Sequence, residues 1–251
     1  MARRDVIIPL LALLVTFAAA LSPGCERRTA PVAPMSTVAA ACPPEMALVP
    51  AESGSVCVDK YEAALEGRRF SHAIDDVDAG TLRATPAKGI KPQVNISEVE
   101  AEAACAGASK RLCTEVEWRA ACDGPQKLVY PYGNEHVAGA CNDGRPRPAA
   151  SIGAAGNGGL DDPRLAEAPN GIEPGGSFPR CVSAYGVEDM HGNVHEWVST
   201  SPKPEDPRYG MFLGGYFADA SENGPGCTYK TTAHFKEYHD YSTGFRCCKS
   251  P

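Results

Sequence analysis

After one long apolar run at its start, this chain carries its hydrophobic residues in short bursts separated by turn formers. Residues 6–21 are apolar, interrupted at Pro9, and follow the basic start MARR (1–4). A charged n-region before a short h-region predicts a secretory signal rather than a spanning helix. Further on, MALV (46–49) and VCVDKY (56–61) read as short strands joined by the Ser53-Gly54 turn. Ser97 followed by Glu100 forms a capping-box pattern, predicting a helix from Glu98 to about Gly107. Its apolar side is expected to carry Val99, Ala103 and Cys105 or Ala106. A second helix is predicted over TEVEWRAAC (114–122), capped by Thr114 with Glu117 at the box position and ended by Gly124-Pro125. Val116, Ala120 and Ala121 share its expected apolar side, with Trp118 flanking. No further long helix is predicted after Tyr130, and 142–180 are nearly all turn formers.

Composition adds the compartment. The chain has 11 cysteines, and LSPGC (21–25) ends in a Gly-Cys pair like that of a bacterial lipoprotein cleavage site. Lipidation at Cys25 is the expectation, with cleavage after Ala18, Ala19 and Ala20 as the competitor, because Ser22 and Pro23 fit the lipoprotein pattern poorly. With Cys25 set aside, ten cysteines remain, which in an oxidising compartment predicts up to five disulfides. Cys42 with Cys57 is a natural local pair, Cys227 is expected to reach Cys247 or Cys248, and the vicinal Cys247 and Cys248 to serve two different partners. Residues 26–41, rich in Ala, Pro, Thr and Arg, read as a flexible spacer, leaving 42–251 as one domain. With 25 Gly, 22 Pro and few aromatics, that domain is expected to be loop-rich and disulfide-stapled. Loss of Arg3, Arg4 and Asp5 on export takes the net charge from −7 to −8. An acidic chain without a basic cluster is a poor partner for nucleic acid. Membrane contact is expected only through the N-terminus, placing the protein in the periplasm or outer envelope.

The densest chemistry lies in GVEDMHGNVHEWV (186–198), which holds two histidines and one of the two tryptophans. Gly192-Asn193 favours a tight turn with positive φ. Such a turn can gather Asp189, Glu196 and the carbonyls between them, the hard oxygen donors that Ca²⁺ requires. Met190 and Trp197 would anchor its shoulders. His191 and His195 have the i, i+4 spacing of helix-borne zinc ligands, but Gly192-Asn193 between them argues against a helix.

Three blocks in order complete the picture. RLCTEVEW (111–118) is followed by YPYGN (130–134), then YGVEDMHGNVHEW (185–197), then Gly214-Gly215 with GFRC (244–247). Together they resemble the formylglycine-generating enzyme family, also called the sulfatase-modifying-factor family, over roughly 42–248. The resemblance implies an α+β, C-type-lectin-like fold with few regular elements. It also implies structural calcium. One site would use Asp189, the carbonyls of Gly192 and Val194, and Glu196; the second would use Asn142, the carbonyl of Asp143, and Asp161 or Asp162.

The family's oxidase converts a sulfatase cysteine to formylglycine with O₂ and a copper(I) ion held by two cysteines, the soft ligands this ion prefers. Here the segment that follows Gly214-Gly215 has Asp219 and Gly224 where those thiols belong, and Tyr216 replaces the serine of the Gly-Gly-Ser turn. Copper is therefore not expected. Cys227, Cys247 and Cys248 are the remaining thiol candidates for catalysis, and read more simply as disulfide partners. Iron sulfoxide synthases share the domain but draw iron-ligating histidines from a second, helical domain that 42–251 does not contain. Tyr216, Asp219, His234, Tyr238 and His239, with Phe235 and Tyr241, are expected to form a recognition surface for a peptide or glycan unless they merely pack among the loops. The reading is thus a degenerate family member acting as a binding module; the alternatives are an active formylglycine-generating oxidase, or a metal enzyme using the histidines.

Overall fold

Both predicted helix starts form as their capping residues require. In the computed structural model of the chain, which describes residues 42–52, 54–74, 79–148 and 159–251, helix α1 spans Glu98–Gly107 and α2 spans Glu115–Asp123. In each, the cap hydroxyl accepts from the third backbone N–H and the glutamate there accepts from the cap's own N–H, at 2.8 Å for Ser97 and 2.9 Å for Thr114. Each such cap contributes on the order of 1 kcal/mol. The expected signal at 1–25, Cys25 and the spacer 26–41 lie outside the described residues, as does Ser53 of the first turn. Among the described residues no helix is long and apolar enough to cross a membrane.

The buried faces include the expected Cys105 of α1 and Ala120, Ala121 and Trp118 of α2, but not the two valines. Val99 and Val116 are exposed at 48% and 45%, while Ala101, Ala104 and Cys105 of α1 and Trp118, Ala121 and Cys122 of α2 are buried. Each buried set has i, i+3, i+4 spacing, so each helix does present one stripe. Its rotation is set by a disulfide, Cys105–Cys247 in α1 and Cys122–Cys227 in α2, which outweighs a single valine.

Strand β1 (Met46–Ala51) pairs antiparallel with β2 (Gly54–Asp59), in register from Met46↔Asp59 to Ala51↔Gly54. A two-stranded ribbon follows, β3 (Ala63–Leu65) with β4 (Ala84–Pro86). Beyond α1 come β5 (Arg111–Leu112), α2, a single-turn helix α3 (Pro163–Ala166), β6 (His195–Val198), β7 (Met211–Leu213), β8 (Lys230–Thr231), β9 (Thr243–Phe245) and β10 (Cys247–Lys249). One sheet has the order β1-β2-β10-β5 and the other β8-β7-β6-β9, where β6 and β9 run parallel. Strands β9 and β10 belong to different sheets yet are separated by the single residue Arg246. That places one arginine, 0% exposed, where the two sheets meet.

Five disulfides tie these elements together: Cys42–Cys57, Cys105–Cys247, Cys113–Cys248, Cys122–Cys227 and Cys141–Cys181. The local pair is as expected. Cys227 corrects the expectation, joining Cys122 of α2 rather than Cys247 or Cys248. Neighbouring strand residues point to opposite faces, so Cys247 reaches α1 while Cys248 reaches the residue before the α2 cap. Trp118 centres one apolar cluster with Val58, Met190 and Leu213; Trp197 centres a second with Ile96, Phe212 and Phe245; a third gathers Ile172, Val194, Phe217 and Tyr241.

Candidate functional site

The stretch 186–198 forms a turn and not a helix. Asp189, Gly192 and Asn193 all adopt positive φ, at 60°, 79° and 54°. At Gly192 a Cβ would lie 2.2 Å from the Asn142 carbonyl oxygen, so only glycine fits. His191 and His195 consequently point into different surroundings. His195 is buried among Phe212, Tyr216 and Tyr229, with ring centroids 4.5, 5.0 and 5.4 Å away. His191 faces His136 and Asp143, so the two do not make a zinc pair.

Asp189 and Glu196 do gather charge, but around Arg246. The guanidinium donates from Nε and Nη2 to the two Glu196 oxygens at 2.6 Å each, and to the carbonyls of Asp59 and Glu188 at 3.0 Å. Trp118 Nε1 donates to Glu196 Oε2 at 2.7 Å. Asp189 Oδ2 accepts from the Gly176 N–H at 2.8 Å. Glu62, whose oxygens accept from Asn193 Nδ2 and the Val194 N–H, completes the network. Burial, then the charges of Asp189 and Glu196, push the Glu62 carboxyl well above the usual carboxylate range. Burial raises Asp189 to about 6. This donor set does not fit calcium at Asp189, Gly192, Val194 and Glu196: a fixed cation already takes both Glu196 oxygens, and a second beside it would be repelled.

In the second expected calcium set, the side chains of Asn142, Asp161 and Asp162 each have another partner. Asn142 Oδ1 accepts from Arg145 Nε at 3.1 Å, and its Nδ2 donates to Gly171 O and Asn193 Oδ1. Asp161 lies beside His239 at 3.1 Å, and Asp162 caps α3 and pairs with Arg164. The Asp143 side chain meets two imidazoles, 2.5 Å from His136 Nε2 and 3.2 Å from His191 Nε2. No spacing pattern in the sequence marked His136, which lies on the loop after Tyr130.

Four residues of the expected recognition surface, Tyr216, Asp219, His234 and Tyr238, share one cleft of about 270 Å³ with His195, Asp240 and Tyr241. His239 does not line it, being held by Asp161. The cleft's groups are tightly cross-linked. Tyr229 donates to Asp219 Oδ2 at 3.0 Å, Tyr238 to Asp240 Oδ2 at 2.6 Å, and the Tyr216 and Tyr241 hydroxyls meet at 3.2 Å. His234 stacks on Tyr238, centroids 3.9 Å apart. Burial would raise Asp219, but the N–H groups of Glu222 and Ser221 and the Tyr229 hydroxyl hold it below the ordinary carboxylate range. Burial pushes Tyr229 up to about 12 and raises Tyr238 and Tyr241 further. At neutral pH the cleft therefore presents the Asp219 carboxylate beside neutral phenols and neutral imidazoles. The thiol candidates Cys227, Cys247 and Cys248 are all bridged.

Burial lowers His195 to about 4, against a weaker upward pull from Asp240 and Asp219. The folded state then binds fewer protons than the unfolded chain between about 4 and 6.5, so this group's contribution is present above 6.5 and lost as pH falls to 4. The loss amounts to roughly 3 kcal/mol. In urea unfolding at successive pH values, the stability of wild type minus that of His195→Gln is expected to fall by that amount between pH 7 and pH 4. A difference independent of pH would show that His195 charges within the fold.

The loop-rich α+β domain, stapled by five disulfides, agrees with the C-type-lectin-like expectation. Residues 52–251 match the family described as the sulfatase-modifying factor enzyme 1-like domain, and the chain belongs to that family. It is 29% identical over 174 residues to the inactive C-alpha-formylglycine-generating enzyme 2 of Bos taurus, covering 65% of this chain and 54% of that protein. It is 36% identical over 119 residues to the hercynine oxygenase of Mycolicibacterium smegmatis, covering 46% and 23%. The chain thus spans about half the length of the first of these relatives and less than a quarter of the second. Among solved structures, PvdO from Pseudomonas aeruginosa superposes with a TM-score of 0.52 at 17% identity, over 79% of this chain and 81% of that one. CarF gives 0.50 at 16%, over 79% and 87%. These two show the fold alone.

Proposed function

We propose that this protein is a binding module of the cell envelope, exported and anchored through a lipid on Cys25, that recognises a peptide or glycan in the cleft around Asp219. The observation that carries this reading is the convergence of Tyr216, Asp219, His234 and Tyr238 on one cleft at the position where an oxidase of the family would place its copper thiols. Two further points support it. All ten cysteines of the domain are paired, leaving no soft ligand pair for Cu(I). The bovine relative that shares this region is itself named inactive. Stacked aromatic faces beside carboxylates suit sugar rings or basic peptides, through apolar contact with the rings and hydrogen bonds to hydroxyl or ammonium groups. The lipid anchor is read from the mass of the N-terminal peptide, where an unmodified Cys25 would end that part of the proposal.

The test is a glycan and peptide array probed with the folded, disulfide-intact protein, followed by titration of each hit. Asp219→Asn and Tyr238→Ala are each expected to weaken binding by about tenfold or more while leaving the fold unchanged by circular dichroism. Retention of every hit by both variants would move the recognition surface elsewhere. Oxidation of a sulfatase-type cysteine peptide by the purified protein would replace the reading with an enzymatic one.

A further inference from the structure

We infer that His136, Asp143 and His191 form a site for one divalent transition-metal ion of borderline softness, of the Zn²⁺ class. One donor atom from each, a ring nitrogen of each histidine and a carboxylate oxygen of Asp143, lies within 4.8 Å of the others. Both imidazoles direct Nε2 at the same oxygen, Asp143 Oδ2. Two nitrogens and one carboxylate oxygen are a donor set for Zn²⁺ and its neighbours in the first transition row; Ca²⁺ and Mg²⁺ require oxygen.

Two of the three donors are held in place by contacts that do not involve the site. The Cys141–Cys181 disulfide fixes the chain two residues before Asp143. The Asn193 N–H donates to the Asn142 carbonyl at 2.9 Å, and Gly192 makes a bridge with Asn142 so close that no Cβ fits. The backbones carrying Asp143 and His191 are thereby locked side by side, the preorganisation that a metal site needs. His136 approaches from a different loop, and Tyr130 packs against both rings at 5.7 and 5.1 Å. His191 is 2% exposed and Asp143 is largely buried, whereas His136 is 46% exposed in its side chain. The site thus has a buried floor and one solvent-facing donor.

The three side chains line a cleft of about 240 Å³ whose opposite wall is the segment Ala218–Glu222. Asp219 and Glu222 of that segment also line the recognition cleft. Three protein donors lining one cleft leave a fourth position for water or a ligand atom, the pattern of a reactive zinc site and not of a closed structural one. The competing account is a metal-free ion pair, in which Asp143 simply accepts a proton-bearing Nε2 from each histidine. The proposal does not depend on what the neighbouring cleft binds.

The experiment is calorimetric titration of chelator-treated, disulfide-intact protein with ZnCl₂ at pH 7.5, alongside Co²⁺ titration followed by visible absorption. Saturable uptake of one equivalent is expected, with a cobalt d–d spectrum of low-coordinate N/O type and release of protons. His136→Ala, a change at an exposed side chain, is expected to weaken binding by more than about 100-fold, given that even outer-shell changes cost 10–100-fold. Asp143→Asn is the second variant, and an unchanged thermal melt establishes that either remains folded. CaCl₂ should give no matching isotherm. Absence of a saturable one-to-one isotherm, or equal binding by His136→Ala, would establish the metal-free ion pair instead.

Discussion

Arg246→Ala is expected to destabilise the protein by roughly 3–5 kcal/mol, the loss typical of stripping one partner from a buried ion pair. The guanidinium is 0% exposed and Glu196 is 1% exposed, so neither charge is screened by water. Removal leaves Glu196 with the Trp118 N–H alone, and leaves the carbonyls of Asp59 and Glu188 without their donor. It also removes the positive charge that, among the described residues, lowers the carboxyls of both Glu62 and Asp189. Arg246→Lys should recover part of the loss, because one ammonium keeps the charge but not the planar fork that serves Glu196 and two carbonyls together. Adding Glu196→Gln to Arg246→Ala should cost far less than Glu196→Gln in the wild type, a coupling of 1 kcal/mol or more in a double-mutant cycle being about what contacting charges show. Urea unfolding measures the wild type and all four variants. A loss within about 1 kcal/mol of zero for Arg246→Ala would mean that water reaches the pair.

The second large effect concerns interleaved disulfides. Cys105–Cys247 and Cys113–Cys248 span 142 and 135 residues, and loop-closure entropy alone would assign about 5 kcal/mol to each. The bridges are not independent. With Cys113–Cys248 intact, opening Cys105–Cys247 frees only the ring through 105–113 and 247–248, about ten residues, at a cost of about 3 kcal/mol. With Cys122–Cys227 intact, opening Cys113–Cys248 as well frees a ring of about 30 residues and costs about 4 kcal/mol more. The single pair replacement Cys105→Ala with Cys247→Ala should therefore lose about 3 kcal/mol. Adding Cys113→Ala with Cys248→Ala should bring the total to about 7, within reach of the whole stability of an ordinary domain. Urea unfolding of the oxidised variants checks this. A loss near 5 kcal/mol for the first pair alone would indicate that the neighbouring bridges are not paired in this way.

The same contrast between local and distant contacts decides how much could be read in advance. Ser97 with Glu100, and Thr114 with Glu117, predicted two helices because a capping box is complete within four consecutive residues. The β1–β2 hairpin and the Cys42–Cys57 bridge were legible for the same reason, their partners being separated by at most 15 residues. Ordered sequence blocks, including GFRC and the turn around Gly192-Asn193, were enough to place the chain in its family. Turn-former density indicated a loop-rich domain, because glycine and proline act on the backbone where they stand.

The site depended on separations that no local pattern encodes. Glu196 meets Arg246 across 50 residues and Trp118 across 78, so an acid read as an oxygen ligand for calcium became the counter-ion of an arginine. Asp143 meets His191 across 48 residues, which makes its side chain, beside the backbone carbonyl read from the sequence, the carboxylate of a histidine cluster. His136 bore no motif at all until the loops were folded together. Cys227 found α2 rather than the C-terminal strand, and the rotation of both helices followed the disulfides instead of the valines. Sequence alone determined the capped helices, the first hairpin, the even number of cysteines in 42–251 and the family, since each rests on neighbouring residues or on their order. Tertiary structure alone decided which charges and thiols meet, since that depends on distant segments sharing one desolvated volume, where each buried charge must take the partner that packing brings to it.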